Sequence, residues 1–315
     1  MRVHLSFDVE VWCNGWEALD ERFPAAYQRY VYGSSGHGQY ALPKTLEILQ
    51  RHGLRGVFFV EPLFAARFGQ QYLTRIVEMI DQAGQDVQLH LHPEWTDEIR
   101  PALLDDVSTK RQHLIHYSFE EQRRLIEFGK QAIEFASGRP VTAFRAGSYA
   151  CNADTYRALE AVGIAVDSSL NEVADVSGAG LPRLQGLPAQ VGKVYSSPVT
   201  VFKDGFGRLR PAQVGACSFA EMRAALADAE AKGLPSFVIV SHNFEMLKPG
   251  SSERDAVVVQ RFEALCEFLA SHPEKFQVGS YPLTADGPSQ SPGRPAVGWW
   301  PTSRRYAEQA LRRVL

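Results

Sequence analysis

Short runs of β-branched and aromatic residues recur along the chain, and each is followed by a longer stretch in which apolar positions recur at helical spacing. Strands that alternate with helices in this way indicate a parallel sheet or barrel. Eight runs are predicted strands, at 3–7, 56–60, 87–91, 141–144, 164–166, 193–201, 237–240 and 276–278.

Residues with known capping roles mark the ends of the predicted helices. Ser118 with Glu121, and Ser218 with Glu221, have the spacing of capping boxes, which begin helices. Glycines that follow a last helical turn, and prolines that fit a first turn, give further signals. These are Gly53, Gly84, Gly233 and Pro43.

The repeated units predict an α/β fold, a distorted (β/α) barrel of seven or eight parallel strands over residues 1–284. Within it, the polar segment 103–117 is predicted to be an inserted loop that covers the site. A segment rich in glycine and proline, 285–302, is typical of a linker. It leads into a predicted C-terminal helix at 303–315.

Composition excludes several classes of protein. Of the 315 residues, 45% are hydrophobic and 22% charged, which allows a sizeable core. A net charge of -3 provides no basic surface for nucleic acid. The four cysteines form no CxxC pair, and the first residues lack the apolar core of a signal peptide. With no apolar run of about 18 residues either, we expect a cytoplasmic protein.

Three common motifs are absent from the sequence. It has no G-x-G-x-x-G fingerprint and no G-x-x-x-x-G-K-[ST] loop, so we predict no dinucleotide or nucleoside triphosphate chemistry. It has no G-x-S-x-G turn either, which argues against a serine hydrolase.

Two carboxylates, Asp8 and Glu10, follow the first predicted strand. Because strand side chains alternate, both point to one side of the chain with Val9 between them. Paired acids at the mouth of a barrel suit one metal ligand and one general base. The alternative is an exposed turn with two solvated acids.

Two histidines, His90 and His92, share one side of the third strand, which Pro93 ends and Glu94 follows. Imidazole nitrogens and carboxylate oxygens are the donors that Zn²⁺ and similar ions prefer. The sequence therefore predicts a metal site here.

An arginine, Arg145, follows the fourth strand. It would be costly to bury unpaired, so it is predicted to brace a carboxylate such as Asp8; the alternative is an arginine that caps a surface turn. The small residues Ala146, Gly147 and Ser148 let backbone N–H groups approach a ligand, as an oxyanion hole requires.

Two further candidates follow later strands. Asp167 could orient a catalytic histidine, or it could close the strand with an Asx turn. His242 stands directly after an apolar strand, where a general acid could reach a leaving amine; the alternative is a structural histidine.

In their order, these motifs resemble the polysaccharide deacetylase family, the NodB-homology group also called carbohydrate esterase family four, over about residues 1 to 280. The sequence 6–10, SFDVE, resembles its first motif, and 56–60, GVFFV, its A-T-F-F-V strand. The stretch 84–90 resembles its G-H-E-[IV]-x-x-H motif. Arg145, Asp167 and His242 match the characteristic residues of its third, fourth and fifth motifs.

This resemblance implies a role for each matched residue. Asp8 would be the base that activates a water, and His242 the acid that protonates the departing amine. Arg145 would tune Asp8, and Asp167 would set the orientation or pKa of a partner. The metal ligands would be Glu10, His90 and a third residue. The family usually places a second histidine four residues after the first, but this chain has Glu94 there. His92 is preferred as third ligand because its side chain shares the strand face with His90, and Glu94 remains the alternative.

The resemblance also implies the substrate and cofactor. The chain would be a hydrolase of carbon–nitrogen bonds other than peptide bonds, an N-deacetylase for an amino sugar in surface polysaccharide biosynthesis, such as O-antigen, capsule or lipopolysaccharide. The sugar would be nucleotide-linked or lipid-linked, and the cofactor Zn²⁺, with Ni²⁺, Co²⁺ or Mn²⁺ as alternatives. Residues predicted to contact the substrate are Gly147, Ser148, Tyr149 and Trp95, with Trp12 and Trp16 as further aromatic candidates.

Other hypotheses stay open at this point. The same metal site could remove a formyl group or hydrolyse another amide, or the barrel could bind sugar without catalysis. The C-terminal helix carries several arginines, which allow contact with a second copy of the chain or with the inner face of a membrane. These are Arg304, Arg305, Arg312 and Arg313.

Overall fold

The computed structural model describes residues 1–181, 187–283 and 293–312. Residues 285–292 of the predicted linker and the last three residues of the predicted C-terminal helix lie outside these ranges. The chain divides into two compact units. Unit one comprises Met1–Gly56, Thr200–Ser280 and the described residues after Pro288. Unit two comprises the described residues of Val57–Val199 and of Tyr281–Gly287.

The strands are β1 Arg2–Val9, β2 Ser34–Ser35, β3 Gly38–Gln39, β4 Val57–Val60, β5 Asp86–Leu91, β6 Ala143–Ala146, β7 Val166–Asp167, β8 Ala189–Val191, β9 Val194–Ser196, β10 Val201–Lys203, β11 Leu209–Pro211, β12 Ser236–His242 and β13 Gln277–Val278. The helices are α1 Leu19–Tyr27, α2 Leu42–Arg51, α3 Leu63–Phe68, α4 Gln70–Gln82, α5 Phe119–Ser137, α6 Ala153–Val162, α7 Phe219–Ala231, α8 Ala256–Ala270 and α9 Trp299–Arg312.

In unit one, β1 lies between two parallel partners, β12 and β13. Nearly all of β1 is buried, including the polar residues His4, Ser6 and Asp8 that alternate with its apolar residues. Phe7 of β1 packs edge-on against Phe262 of α8, with the ring centroids 5.7 Å apart. The end of β1 is thereby fixed between a neighbouring strand and a helix.

In unit two, β4, β5, β6, β7 and β9 pair in parallel, and β8 pairs antiparallel with β9. Together with the three strands of unit one, eight described strands pair in parallel, as predicted. Helices α2, α4, α5 and α7 begin or end where the sequence signals them. Both predicted capping boxes form, and the three predicted C-terminal glycines have positive φ.

The predicted strand 193–201 is wrong as a single element. It divides into β9, which pairs with β7 in unit two, and β10, which pairs with β11 in unit one. Pro198 lies in the break and has no backbone N–H to continue a ladder. The residues around it change partners: Val199 donates to Leu170, whereas Thr200 donates to Val238.

The predicted loop 103–117 contains only one short 3₁₀ turn, Leu114–His116. It packs on the segment that follows β5. The Tyr117 hydroxyl donates to the carbonyl of Pro93 at 3.1 Å, and Lys110 Nζ donates to the carbonyl of Glu94 at 2.8 Å. The loop therefore lies against the turn that carries Glu94, and its role as a cover stays a prediction.

Helix α9 begins at Trp299, four residues before the predicted start, and packs on unit one through buried ion pairs. Arg305 contacts Asp204 at 3.2 Å and Glu221 at 3.0 Å, and both carboxylates are fully buried. Arg312 contacts Asp255, the N-cap residue of α8, at 2.6 Å. These two arginines face the protein. Among the described residues, no helix combines the length and hydropathy needed to span a bilayer.

Candidate active site and metal ligands

The parallel register of β1 and β12 places Asp8 opposite His242. Glu10 follows on the same side of the chain, as the alternation of strand side chains requires. Asp8, Glu10 and His242 each offer a ligand atom, and these atoms all lie within 4.8 Å of one another. Asp8 and Glu10 are 3% and 6% exposed, so the alternative of two solvated acids in an exposed turn is wrong.

Asn243 fixes the backbone of Glu10. Its Oδ1 accepts from the Glu10 N–H at 3.1 Å, and its Nδ2 donates to the Glu10 carbonyl at 3.2 Å and to the Tyr30 carbonyl at 2.5 Å. The indole N–H of Trp12 donates to Glu10 Oε2 at 2.6 Å. Sequence reasoning missed Asn243, although it directly follows His242.

The carboxylate that contacts His242 is Glu245. Its Oε1 lies 3.0 Å from His242 Nδ1, and its Oε2 accepts from Ser241 Oγ at 3.1 Å and from the Gly215 N–H at 2.6 Å. Burial alone would lower the pKa of His242, but the hydrogen bond to Glu245 and the charges of Glu10, Glu245 and Asp8 raise it to about 9. The role of Glu245 was not predicted from the sequence. Its position three residues after His242 was the available signal, because a turn brings side chains at this spacing into contact.

His90 and His92 lie side by side at the end of β5, with ring centroids 4.8 Å apart. Nδ1 of His90 lies 2.8 Å from the carbonyl oxygen of Arg145. Nδ1 of His92 lies 3.2 Å from Glu94 Oε2, and both side chains are buried. A histidine whose Nδ1 binds a carbonyl or carboxylate has the orientation common among metal ligands, with Nε2 as the coordinating atom.

A glycine is needed beside His92. A Cβ atom on Gly147 would lie 2.6 Å from Nδ1 of His92, closer than atoms can approach. Ser148 and Tyr149 follow with φ of 53° and 59°, and two successive non-glycine residues in the left-handed region are strained. Ser148 is exposed and Tyr149 half-buried, so both side chains are open to a ligand.

Arg145 is fully buried and held within unit two. Its Nε donates to the carbonyl of Ser168 at 3.1 Å, its Nη2 donates to Ser168 Oγ at 3.0 Å, and its guanidinium lies 4.3 Å from the Phe59 ring centre. An arginine that caps a surface turn is therefore excluded. Its predicted contact with Asp8 stays a prediction.

Asp167 has the local role that the sequence left open as its alternative. Its Oδ2 accepts from the Ser169 N–H at 3.0 Å, an Asx turn, and from the Tyr156 hydroxyl at 2.6 Å. Burial raises the pKa of Asp167, although these hydrogen bonds oppose the shift. His242 contacts Glu245, and the predicted contact of Asp167 with a catalytic histidine stays a prediction.

Trp95, predicted to contact the substrate, is 1% exposed. Its ring packs edge-on against Phe68, with the ring centroids 6.0 Å apart. A ring buried in this way cannot stack on a sugar, so Trp95 is a core residue. Trp12 and Trp16 are half-buried and pack against each other at 6.3 Å.

Comparison with solved structures identifies the class of fold. The chain is similar to a protein from Mycobacterium smegmatis assigned to the polysaccharide deacetylases, with a TM-score of 0.55 and 19% sequence identity over 92% of this chain and 94% of that one. The fold is therefore that of the polysaccharide deacetylases, and the predicted fold class is confirmed.

Two further solved structures are more distantly similar. A family 4 carbohydrate esterase from Streptomyces lividans, in complex with acetate, has 16% identity and a TM-score of 0.46 over 95% of this chain and 97% of that one. The peptidoglycan deacetylase PdaC from Bacillus subtilis has 13% identity and a TM-score of 0.39 over 99% of this chain and 96% of that one. No family model matches the sequence. A search of curated proteins gives no match either.

Proposed function

We propose that this protein is a divergent member of the polysaccharide deacetylase family and a metal-dependent hydrolase that removes the N-acetyl group of an amino sugar. One observation carries the proposal: Asp8, Glu10 and His242 place their ligand atoms within 4.8 Å of one another at the end of a parallel strand pair. Two carboxylates and an imidazole at this spacing provide a base, a metal ligand and an acid.

The metal ligands in this proposal are Glu10, His90 and His92. The donor set suits a divalent ion, with Zn²⁺ as first choice and Ni²⁺, Co²⁺ or Mn²⁺ as alternatives. The hydrogen bonds at Nδ1 of both histidines support the assignment, because they orient the rings for coordination through Nε2. Glu94 is then the carboxylate that orients His92 rather than the third ligand. When bound, such an ion activates a water and polarises the acyl oxygen.

Proton transfers in the reaction belong to Asp8 and His242. Asp8 accepts the proton of the attacking water, and His242 donates a proton to the nitrogen as the C–N bond breaks. The charges of Glu245 and Asp8 contribute to the raised pKa of His242 and favour the protonated ring. Glu245 keeps the ring in place through Nδ1, so that Nε2 is the atom that delivers the proton.

The remaining predicted residues position the reacting groups. We propose that Arg145 tunes Asp8, and that Asp167 holds the end of its strand through Ser169. Backbone N–H groups in the strained turn Gly147–Tyr149 stabilise the developing oxyanion, and loss of one such donor typically costs about 3 to 4 kcal/mol of barrier. The side chains of Ser148 and Tyr149 contact the sugar.

The substrate in this proposal is a nucleotide-linked or lipid-linked amino sugar used in surface polysaccharide biosynthesis, and the enzyme works in the cytoplasm or at the inner face of the membrane.

A group of exposed aromatic side chains supports contact of the C-terminal region with a second copy of the chain. It consists of Phe206, Trp299, Trp300 and Tyr306. The mass of the protein in solution tests this contact, and a monomer contradicts it.

An assay for free amine and acetate tests the function. Purified protein of known metal content is supplied with N-acetylated amino sugars, with and without chelator. We expect stoichiometric metal, acetate release, and loss of turnover in the chelated protein. Formate release from N-formyl sugars alone would instead assign a deformylase. If turnover is unchanged in Asp8→Asn and His242→Ala, the measured activity comes from a contaminant. The protein would then be a barrel that binds sugar without catalysis.

A further inference from the structure

A cavity of about 530 Å³ opens in unit one, next to the candidate site. Its walls include Trp12, Glu21, Arg22, Arg29 and Tyr30. Trp12 belongs both to this wall and to the site, because its indole N–H donates to Glu10 Oε2 at 2.6 Å. The volume lies within the range of about 300–1,000 Å³ that small-molecule sites occupy. A ligand in this cavity therefore lies beside a residue proposed to bind the metal.

The helical segment after β1 brings two arginines to the cavity. Helix α1 continues directly into a π-helical turn, Gln28–Tyr32, and Arg22 and Arg29 are seven residues apart along it. Residues at this spacing lie on one side of a helix, two turns apart. Phe23 and Tyr27 of the same segment are buried in unit one. The segment is anchored by its aromatic side and presents its guanidinium groups to the cavity.

Neither guanidinium is neutralised by a carboxylate among the described residues. Arg22 donates to the backbone carbonyl of Asn14 at 3.2 Å, and Arg29 lies 5.1 Å from the ring centre of Tyr30. Glu21 is the single acid of the described lining, and its side chain is exposed. Arg22 is exposed as well, and Arg29 is half-buried. Two positive charges against one negative charge leave the described lining with a net charge of one positive unit.

The other titratable groups of the lining add no negative charge. Burial raises the pKa of the Cys13 thiol to about 11, although Arg22 opposes the shift. Burial also raises the pKa of the Tyr30 hydroxyl. Both groups are neutral at physiological pH, so Glu21 is the acid of the described lining that opposes the two guanidinium groups.

Guanidinium groups are the preferred protein donors to phosphate, because their planar N–H fork matches its oxygens in a bidentate geometry. The indole of Trp12 lines the same cavity and donates to Glu10. The cavity thus combines two arginines with an aromatic residue that contacts the candidate site.

We propose that this cavity binds a phosphate group of the substrate, so that the enzyme acts on amino sugars that carry a phosphate ester. The inference rests on the proposed function and deepens it, because it assigns the phosphate of the substrate to a site with named residues. The phosphate is common to nucleotide-linked, lipid-linked and simple sugar phosphates, and the experiment separates these sources.

Binding is measured by calorimetry with N-acetylglucosamine 1-phosphate and with N-acetylglucosamine, which lacks the charge. The variants are Arg22→Gln with Arg29→Gln, and Arg208→Gln as a control that removes an exposed arginine outside the cavity. We expect the double variant to lose at least about tenfold in affinity for the phosphate ester and none for the neutral sugar. The control should bind like the unaltered protein. Equal affinity of the unaltered protein for both sugars, or an unchanged double variant, overturns the proposal.

Acetate release distinguishes an error in the cavity assignment from an error in the proposed reaction. Phosphate-dependent binding without acetate release contradicts the proposed reaction and leaves the cavity assignment in place. Acetate release with the same kcat/KM for both sugars supports the reaction and overturns the phosphate site. Among charged substrates, a higher kcat/KM for a uridine diphosphate sugar than for a polyprenyl phosphate sugar assigns a nucleotide as the source of the phosphate, and the opposite order assigns a lipid. Thermal unfolding of each variant confirms that it folds.

Discussion

Each unit carries a histidine paired with a glutamate at the end of a strand, yet the two pairs have different surroundings. In unit one, His242 contacts Glu245 at 3.0 Å and also lies close to Asp8 and Glu10. In unit two, His92 contacts Glu94 at 3.2 Å and lies beside a second imidazole, His90, whose Nδ1 is engaged by a backbone carbonyl.

The neighbours of each pair decide its chemistry. Three carboxylates around His242 stabilise the imidazolium, which suits a group that must carry a proton. Two adjacent imidazoles oriented through Nδ1 are suited to coordination instead. The same two residue types can thus serve proton transfer in one unit and metal binding in the other, and the following experiments test that division.

The largest effect is expected from His92→Ala. If His92 coordinates the ion and Glu94 orients it, His92→Ala loses stoichiometric metal, whereas Glu94→Gln retains it with an affinity about 10- to 100-fold weaker. Competition with a chromophoric chelator measures both affinities. Stronger loss in Glu94→Gln than in His92→Ala would make Glu94 the third ligand.

A smaller effect is expected from Asp8→Asn, which keeps the shape of the side chain and removes its basicity. We expect kcat to fall by about 10² to 10⁴-fold, since general-base catalysis contributes that much. Metal content, measured on the same sample, should not change. A variant that loses its metal together with its activity would show that Asp8 is a ligand and not the base.

The smallest effect is expected from Glu245→Gln, which removes one of the carboxylates that raise the pKa of His242. The pKa should fall from about 9 toward its usual value of 6.5, so the imidazolium should lose its proton at lower pH. Titration of the ring by NMR in metal-free protein measures the shift. Glu253→Gln, which changes an exposed glutamate, is the matched control. A pKa of His242 that is equal in both variants contradicts the role given to Glu245.

Much of the architecture could be predicted from the sequence because its signals are local. Alternating runs of β-formers located the parallel strands, and the serine–glutamate spacings located two helix starts that form as capping boxes. The strand pair β8 and β9 was missed as a hairpin. Its signal is a two-residue turn with Gly192, whose φ is 60°.

The contacts within the candidate site were harder to predict because they depend on distant parts of the chain. Asn243 bonds to the backbone of Glu10 and Tyr30, residues more than 200 positions away, and no periodicity encodes such a contact. Tryptophan is a residue type that stacks on sugars, but Trp95 packs against Phe68. Only the packing distinguishes a core aromatic from a surface one.

The position of β1 between β12 and β13 has a consequence for biosynthesis. During translation, Arg2 and its neighbours emerge long before their partners at Ser236 and Gln277, so these two pairings form only after most of the chain has been made. Pairings of such long sequence separation fold slowly, and a strand that still lacks some of its partners is prone to aggregate. Chaperone dependence during expression, and inclusion bodies from chains truncated before residue 236, are the expected signs of this delay.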